Sequence, residues 1–221
     1  MERFGIERKE VLRYLGHRGQ EVGEKLEELV DECIEEIKAV ASPKYILRTF
    51  SITGRDGSVI LENGLFELTG KAISRHLGES DSCMLLAATL GSDVDKRIRY
   101  FEKKDLTKAL ILDACATAYI EDVCDKVCED IEKSKLKEGE HLTWRFSPGY
   151  GDLPINLQKG FLAVLDAGRR IGLTASSTNI LLPRKSVTAV MGITGSSCRM
   201  AASGCAACSN NKECAYKRTE E

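Results

Sequence analysis

The sequence has no long apolar run. Its longest uninterrupted stretches, near residues 84–90 and 110–112, fall far short of the roughly 20 residues that a membrane-spanning helix needs. The opening Met1-Glu2-Arg3-Phe4-Gly5 lacks the apolar core of a secretory signal, so the chain is expected in the cytoplasm. Neither charge sign is in large excess: 32 Lys and Arg face 34 Asp and Glu, for a net charge of −2. That balance offers no broad basic field and argues against nucleic acid as the main partner. No internal repeat is present. Charged residues make up 30% and apolar residues 43%, which suits a globular chain and excludes disorder of the whole.

What the sequence does have is cysteine, nine residues in two groups. Cys33, Cys83, Cys115, Cys124 and Cys128 are scattered through apolar-patterned segments and read as small buried hydrophobes. Cys198, Cys205, Cys208 and Cys214 crowd together at the C-terminus. In a cytosolic chain that clustering suggests metal or redox chemistry before structural disulfides. Spaced Cys198-x6-Cys205-x2-Cys208-x5-Cys214, the four thiolates suit zinc or an iron–sulfur cluster. A tail of reduced thiols is the alternative, because only the Cys-x-x-Cys pair is a standard chelate.

Periodicity supplies the elements. A short helix is expected over 7–15, interrupted at Gly16-His17-Arg18-Gly19. Over 20–41 the residues Val22, Leu26, Leu29, Val30, Cys33, Ile34, Ile37 and Val40 recur at spacings of three and four, the pattern of an amphipathic helix. Residues 45–53, 58–61 and 65–68 read as strands, with turns at Gly54-Arg55-Asp56-Gly57 and Asn63-Gly64. Thr69 is expected to cap a helix over 70–77, with Lys71, Arg75 and His76 at the surface. The nearly continuous apolar run 83–90 predicts a central buried strand. A short charged helix covers 93–103 and a long one 105–133, whose small residues allow close packing in the core. Glu121 and Asp122 fall late in its apolar part, either on a solvated edge or facing a cleft. Residues 155–171 predict one helix ended by Gly172. Residues 173–182 and 186–193 predict a final antiparallel strand pair. This order implies an α+β fold, a mixed and largely antiparallel twisted sheet with flanking helices, rather than a doubly wound parallel one.

The stretch Trp144-Arg145-Phe146-Ser147-Pro148-Gly149-Tyr150-Gly151-Asp152-Leu153-Pro154 stands apart. Residues 142–146 alternate as a strand and then break sharply. Glycines let backbone approach a ligand, and Pro148 stiffens the turn while holding Ser147 extended. Arg145 offers a planar fork for carboxylate or phosphate, and Tyr150 a flat face with a hydroxyl. An ordinary strand–turn–helix connection with a surface Arg is the alternative that chemistry alone leaves open.

With this motif in place, the chain resembles the activation domain of cobalamin-dependent methionine synthase. The residues that carry the resemblance are Arg145-x-x-x-Gly149-Tyr150, Asp152-Leu153-Pro154, Gln158, Arg170-Ile171-Gly172-Leu173-Thr174 and Leu182-Pro183-x-Lys185-Ser186-Val187. They cover about residues 105–193. The resemblance implies a C-shaped α+β domain over 1–195, with a helical arm over 1–42, followed by the Cys-rich tail 196–221. It implies binding of S-adenosylmethionine and a repair role, in which cobalt(II) cobalamin is reduced and remethylated. The cobalamin would sit on a partner, a methionine synthase chain lacking this domain, and the electron would come from a flavodoxin- or ferredoxin-type donor. Arg145 would hold the ligand carboxylate, with Ser147 and Pro148 in the ligand loop, Gly149 allowing close approach and Tyr150 packing beside the ligand or at the corrin edge. Glu121, or Asp122 beside it, would supply an acidic group in the cleft. The terminal cysteines have no counterpart in that family, and the alternatives to reactivation are a non-catalytic corrinoid adaptor or a metal- or redox-responsive protein.

Overall fold

The computed structural model describes residues 4–195 other than 18, 56 and 135. Two helices come first, α1 (Arg8–Tyr14) and α2 (Glu24–Val40). The apolar stripe of α2 buries Val30, Cys33, Ile34 and Ile37, and Glu36 turns inward to pair with Arg97 and Lys108. Strands β1 (Lys44–Gly54), β2 (Ser58–Leu61) and β3 (Phe66–Thr69) follow as an antiparallel meander. The short helix α3 (Lys71–His76) leads to β4 (Ser82–Thr89). Then come α4 (Ser92–Phe101), α5 (Leu106–Ser134) and a two-residue strand, β5 (His141–Leu142). The chain continues through α6 (Gln158–Val164), α7 (Ala167–Ile171), β6 (Thr174–Ala175), β7 (Leu181–Leu182) and β8 (Ser186–Thr194).

Six strands form one sheet in the order β3-β2-β1-β4-β8-β5, and every neighbouring pair is antiparallel. The fold is therefore α+β, as the order of elements implied. Its centre is β4, and the pleat explains why that segment is apolar throughout. Successive side chains of a strand point to opposite faces. Met84, Leu86 and Ala88 enter a core shared with α1, α2, α4 and α5. Cys83, Leu85 and Ala87 enter a second core with α3, α6, α7, Phe50 and Phe161. Fully burying a side chain of this size contributes roughly 1.5–3 kcal/mol, so both faces of β4 are committed.

The five scattered cysteines are core residues: Cys33, Cys83, Cys115 and Cys124 are buried and Cys128 is half-buried, all unbridged. Burial pushes the Cys33 and Cys128 thiols up to about 11 and those of Cys83 and Cys115 up to about 12, so they stay protonated at neutral pH. Cys198, Cys205, Cys208 and Cys214 lie outside the described residues. Among the described residues no group of three or more His, Cys, Asp or Glu is placed to hold a metal ion, and no helix is long and apolar enough to cross a membrane.

Several local expectations need correction. The helix expected over 155–171 is a 3-10 turn (Ile155–Leu157) followed by α6 and α7, broken where Asp166 takes a left-handed φ of 54°. The last strand pair is also different. β6 and β7 pair with one another, whereas β8 crosses into the main sheet between β4 and β5. Thr69 does not cap α3; its N-cap is Gly70, without a side-chain cap bond of its own. His76 is not at the surface but 4% exposed. It lies three residues after Ile73 and beside Leu77, both buried, so it shares their face.

Candidate functional site

The site begins with a bulge at the sheet edge. His141 pairs with Thr194 and Leu142 with Ile193, and the Thr143 N–H donates to Gly192 O. Phe146 then bridges Val190 rather than residue 189. Four steps on this side meet three on β8, so one extra residue is inserted between Leu142 and Phe146. The insertion reverses the alternation. Leu142 packs on the helical core, Trp144 and Phe146 on the opposite core, and Arg145 points back towards α5. The strand expected over 142–146 is thus interrupted at the point where its Arg is aimed.

Arg145 meets two carboxylates there. Its Nη2 donates to Glu121 Oε2 at 2.7 Å and lies 2.9 Å from Asp125 Oδ1. The carboxylates are one helical turn apart on α5, which puts them on one face. Asp122 turns away and accepts the Gly5 N–H at 2.8 Å. Burial works against the Arg145 charge, but the Cys124 sulfur, Glu121 and Asp125 outweigh it, and the guanidinium pKa is raised. Its Nη1 is buried with no protein partner. An unmet buried donor costs about 1–3 kcal/mol, so this nitrogen is an unsatisfied donor within the site. The Arg145–Glu121–Asp125 group carries a formal charge of −1, from one cation and two anions. Tyr14 of α1 lies close enough for Glu121 to help raise its pKa, after burial, the main cause. Further along α5, Lys185 Nζ donates to Thr117 Oγ1 at 2.7 Å and pairs with Asp113 at 2.9 Å, fixing the start of β8 to the helix.

The loop after Arg145 is held by its own backbone. Ser147 O accepts the Tyr150 N–H at 3.0 Å, with Pro148 second in the turn and Gly149 third at a φ of 98°. Pro followed by a positive-φ Gly is the type II pattern. A Cβ at Gly149 would stand 3.2 Å from Ile155 Cδ1, so both φ and space favour glycine. Tyr150 is left 55% exposed, its ring edge-on to Phe146 at 6.2 Å. Asp152 fastens the far side of the loop. Its carboxylate accepts the Lys71 N–H at 2.7 Å and the Ala72 N–H at 2.9 Å, replacing the missing cap of α3. Those two backbone bonds draw the Asp152 carboxyl below its usual range. Gly70 leaves room for it, since a Cβ there would lie 2.7 Å from Asp152 Oδ1.

Beneath the bulge sits His76. Its Nε2 is 2.8 Å from Thr143 Oγ1, and Thr143 Oγ1 accepts the Gly192 N–H at 2.8 Å. Trp144 and Phe146 cover the imidazole at 4.6 and 5.2 Å between ring centroids. Burial lowers its pKa to about 4, against a small opposing contribution from the Trp144 backbone. The imidazole is therefore neutral at pH 7, and Thr143 O–H can donate to Nε2 while accepting from Gly192.

The structure brings Arg145, Glu121 and the loop Ser147, Pro148, Gly149 and Tyr150 to one edge of the sheet. Sequence reasoning missed Asp125, the capping role of Asp152 and the His76–Thr143 pair. Asp125 was detectable as the i+4 partner of Glu121, whereas Asp152 acts on an element 80 residues away.

No known family model matches the chain, and no curated protein matches it. Among solved structures, a crystal structure of the MetH reactivation domain bound to AdoHcy superposes with a TM-score of 0.65 at 14% identity. The match covers 85% of this chain and 73% of that one. At such identity the likeness is one of fold. The chain has the fold of the MetH reactivation domain.

Proposed function

We propose that the chain binds S-adenosylmethionine between α5 and the 145–154 loop, and supports reactivation of a corrinoid methionine synthase chain. The observation that carries this reading is the pairing of the reactivation-domain fold with Arg145, Glu121 and the Gly149-Tyr150 turn at one sheet edge. On this reading the ligand carboxylate takes the unpartnered Nη1 of Arg145 once the side chain shifts to expose it. The net negative charge of Arg145, Glu121 and Asp125 favours the ligand's positive sulfonium and ammonium ends. Tyr150 gives the ligand a flat wall, and its exposure leaves the loop facing a partner. S-adenosylmethionine supplies an electrophilic methyl group; the protein positions it. Cobalamin belongs to the partner chain, and the electron to a flavodoxin- or ferredoxin-type donor.

Two measurements test this. Titration calorimetry with S-adenosylmethionine should give saturable binding, tighter than for S-adenosylhomocysteine, which lacks the sulfonium charge. Purified cobalt(II) corrinoid partner with an electron donor should regain activity when the chain and S-adenosylmethionine are both present. No heat of binding, together with reactivation indifferent to S-adenosylmethionine, would overturn the reading.

A further inference from the structure

His76 touches two successive residues of the edge segment. Its Nε2 is 2.8 Å from Thr143 Oγ1, and its ring centroid lies 4.6 Å from that of Trp144. His76 is the last residue of α3, and that short helix is fastened at each end. Asp152, from the loop beyond Arg145, bonds its first N–H groups. Arg55 donates to Leu77 O at 2.8 Å and to Ser80 O, just past the last turn. The same turn lies tight against β8, where a Cβ on Gly192 would collide with Ser80 Oγ and stand 3.1 Å from Leu77 Cδ2. The imidazole therefore has a fixed seat. Successive side chains of a regular strand point to opposite faces, so two neighbours on one face mark the surplus residue of a bulge. Leu142 lies in the helical core and Phe146 in the opposite one. Between those ends, a surplus at Leu142–Thr143 would take the threonine away from His76. At Trp144–Arg145 it would turn the indole towards α5, onto the Glu121 and Asp125 carboxylates. At Arg145–Phe146 the indole would face α5 and Arg145 would enter the opposite core. The pair Thr143–Trp144 alone puts both side chains on the face of His76 while Arg145 reaches Glu121.

We propose that His76 is a positioning residue for the ligand site: by gripping Thr143 and Trp144 together it holds the surplus residue at that pair and keeps Arg145 aimed at Glu121. Resting on the function proposed above, His76 acts on S-adenosylmethionine through Arg145 and does not touch the ligand. Thr143 Oγ1 also accepts the Gly192 N–H at 2.8 Å, which ties the gripped pair to β8. With the surplus residue removed the grip is no longer needed, because strand alternation by itself carries Arg145 to α5.

His76→Phe, deletion of Thr143 and the two combined test the proposal as a double-mutant cycle. Calorimetry with S-adenosylmethionine is one readout. Fluorescence is the other: Trp144 is the sole tryptophan, so its emission reports the bulge without any ligand. His76→Phe keeps a ring against Trp144 but offers Thr143 no nitrogen. It should weaken binding roughly tenfold, as loss of a charge-assisted contact does, and shift the indole emission to longer wavelength. Deletion of Thr143 should bind near the wild-type affinity, and the combined variant should bind like the deletion alone. Thr143→Val, which keeps the branched shape without the oxygen, should behave like His76→Phe, and Thr143→Ser like the wild type; these hold the test open if the phenylalanine variant does not fold. Wild-type affinity and emission in both His76→Phe and Thr143→Val would overturn the proposal. So would an equal loss from His76→Phe with and without Thr143, the result for a histidine that merely stabilises the fold. If the wild-type chain binds no S-adenosylmethionine, the function proposed for the loop falls and the emission decides on His76: shifted in both variants it upholds the grip, unshifted it overturns it.

Discussion

Arg145 Nη2 lies 2.7 Å from Glu121 Oε2, joining the bulged edge segment to α5. The contact joins two elements that no local pattern connects. It also means that the Arg charge is more than offset before any ligand arrives, with Asp125 as its second anion.

Arg145→Ala should lower S-adenosylmethionine affinity by at least tenfold in calorimetry, with loss of a charge-assisted bond as the cause. Arg145→Lys should not restore it. A lysine keeps the charge but lacks the planar fork that holds Glu121 and Asp125 while presenting another nitrogen to the ligand.

Glu121→Gln should remove much of the preference for S-adenosylmethionine over S-adenosylhomocysteine. The formal charge of the Arg145–Glu121–Asp125 group would move from −1 to 0, and the sulfonium would lose its electrostatic advantage. Parallel titrations with the two ligands read this directly.

Asp152→Ala should lower the melting temperature and weaken ligand binding together, because one carboxylate caps α3 and ties down the loop. Asp152→Asn should keep only part of both, since the amide has one acceptor oxygen where the carboxylate uses two. If the alanine variant binds ligand like the wild type, the loop does not depend on this anchor.

His76 makes stability fall in acid. Its folded pKa of about 4 lies below the ordinary 6.5, so the folded state resists protonation while the unfolded chain takes the proton. No penalty exists above about 6.5. It grows as pH falls, and below the folded pKa it reaches about 3 kcal/mol, taking 1.36 kcal/mol per unit. Urea unfolding at pH 7.5 and 5 should show this loss, and His76→Gln should reduce it.

The long-period features of the fold were legible in the residues. The stripe of α2, the length of α5 and the double-faced run of β4 all follow from side-chain spacing within one segment. So did Arg145 and the Ser147-Pro148-Gly149-Tyr150 turn, whose residue types state their geometry. The rest depends on pairings between distant segments. The bulge exists only against β8, and Asp152 acts as a cap only when the loop reaches α3. His76 appeared as one of three polar residues on a short helix, and only packing against Trp144 and Phe146 makes it a buried one. The helix expected over 155–171 failed at Asp166, where a left-handed residue divides α6 from α7.

The extra residue between Leu142 and Phe146 makes the site a matter of parity. Which side chain looks towards α5 is decided by which β8 residue stands opposite it, not only by its type. Removing the extra residue would leave three steps against three on β8, so Phe146 would still meet Val190 and Arg145 would still face α5; the bulge is what absorbs the surplus residue. Substitutions at Trp144 are then expected to give graded losses of ligand affinity, while deletion of Thr143 keeps Arg145 aimed at α5 and lowers the melting temperature by removing the His76 and Gly192 contacts. Circular dichroism and calorimetry on the two kinds of variant would separate these outcomes.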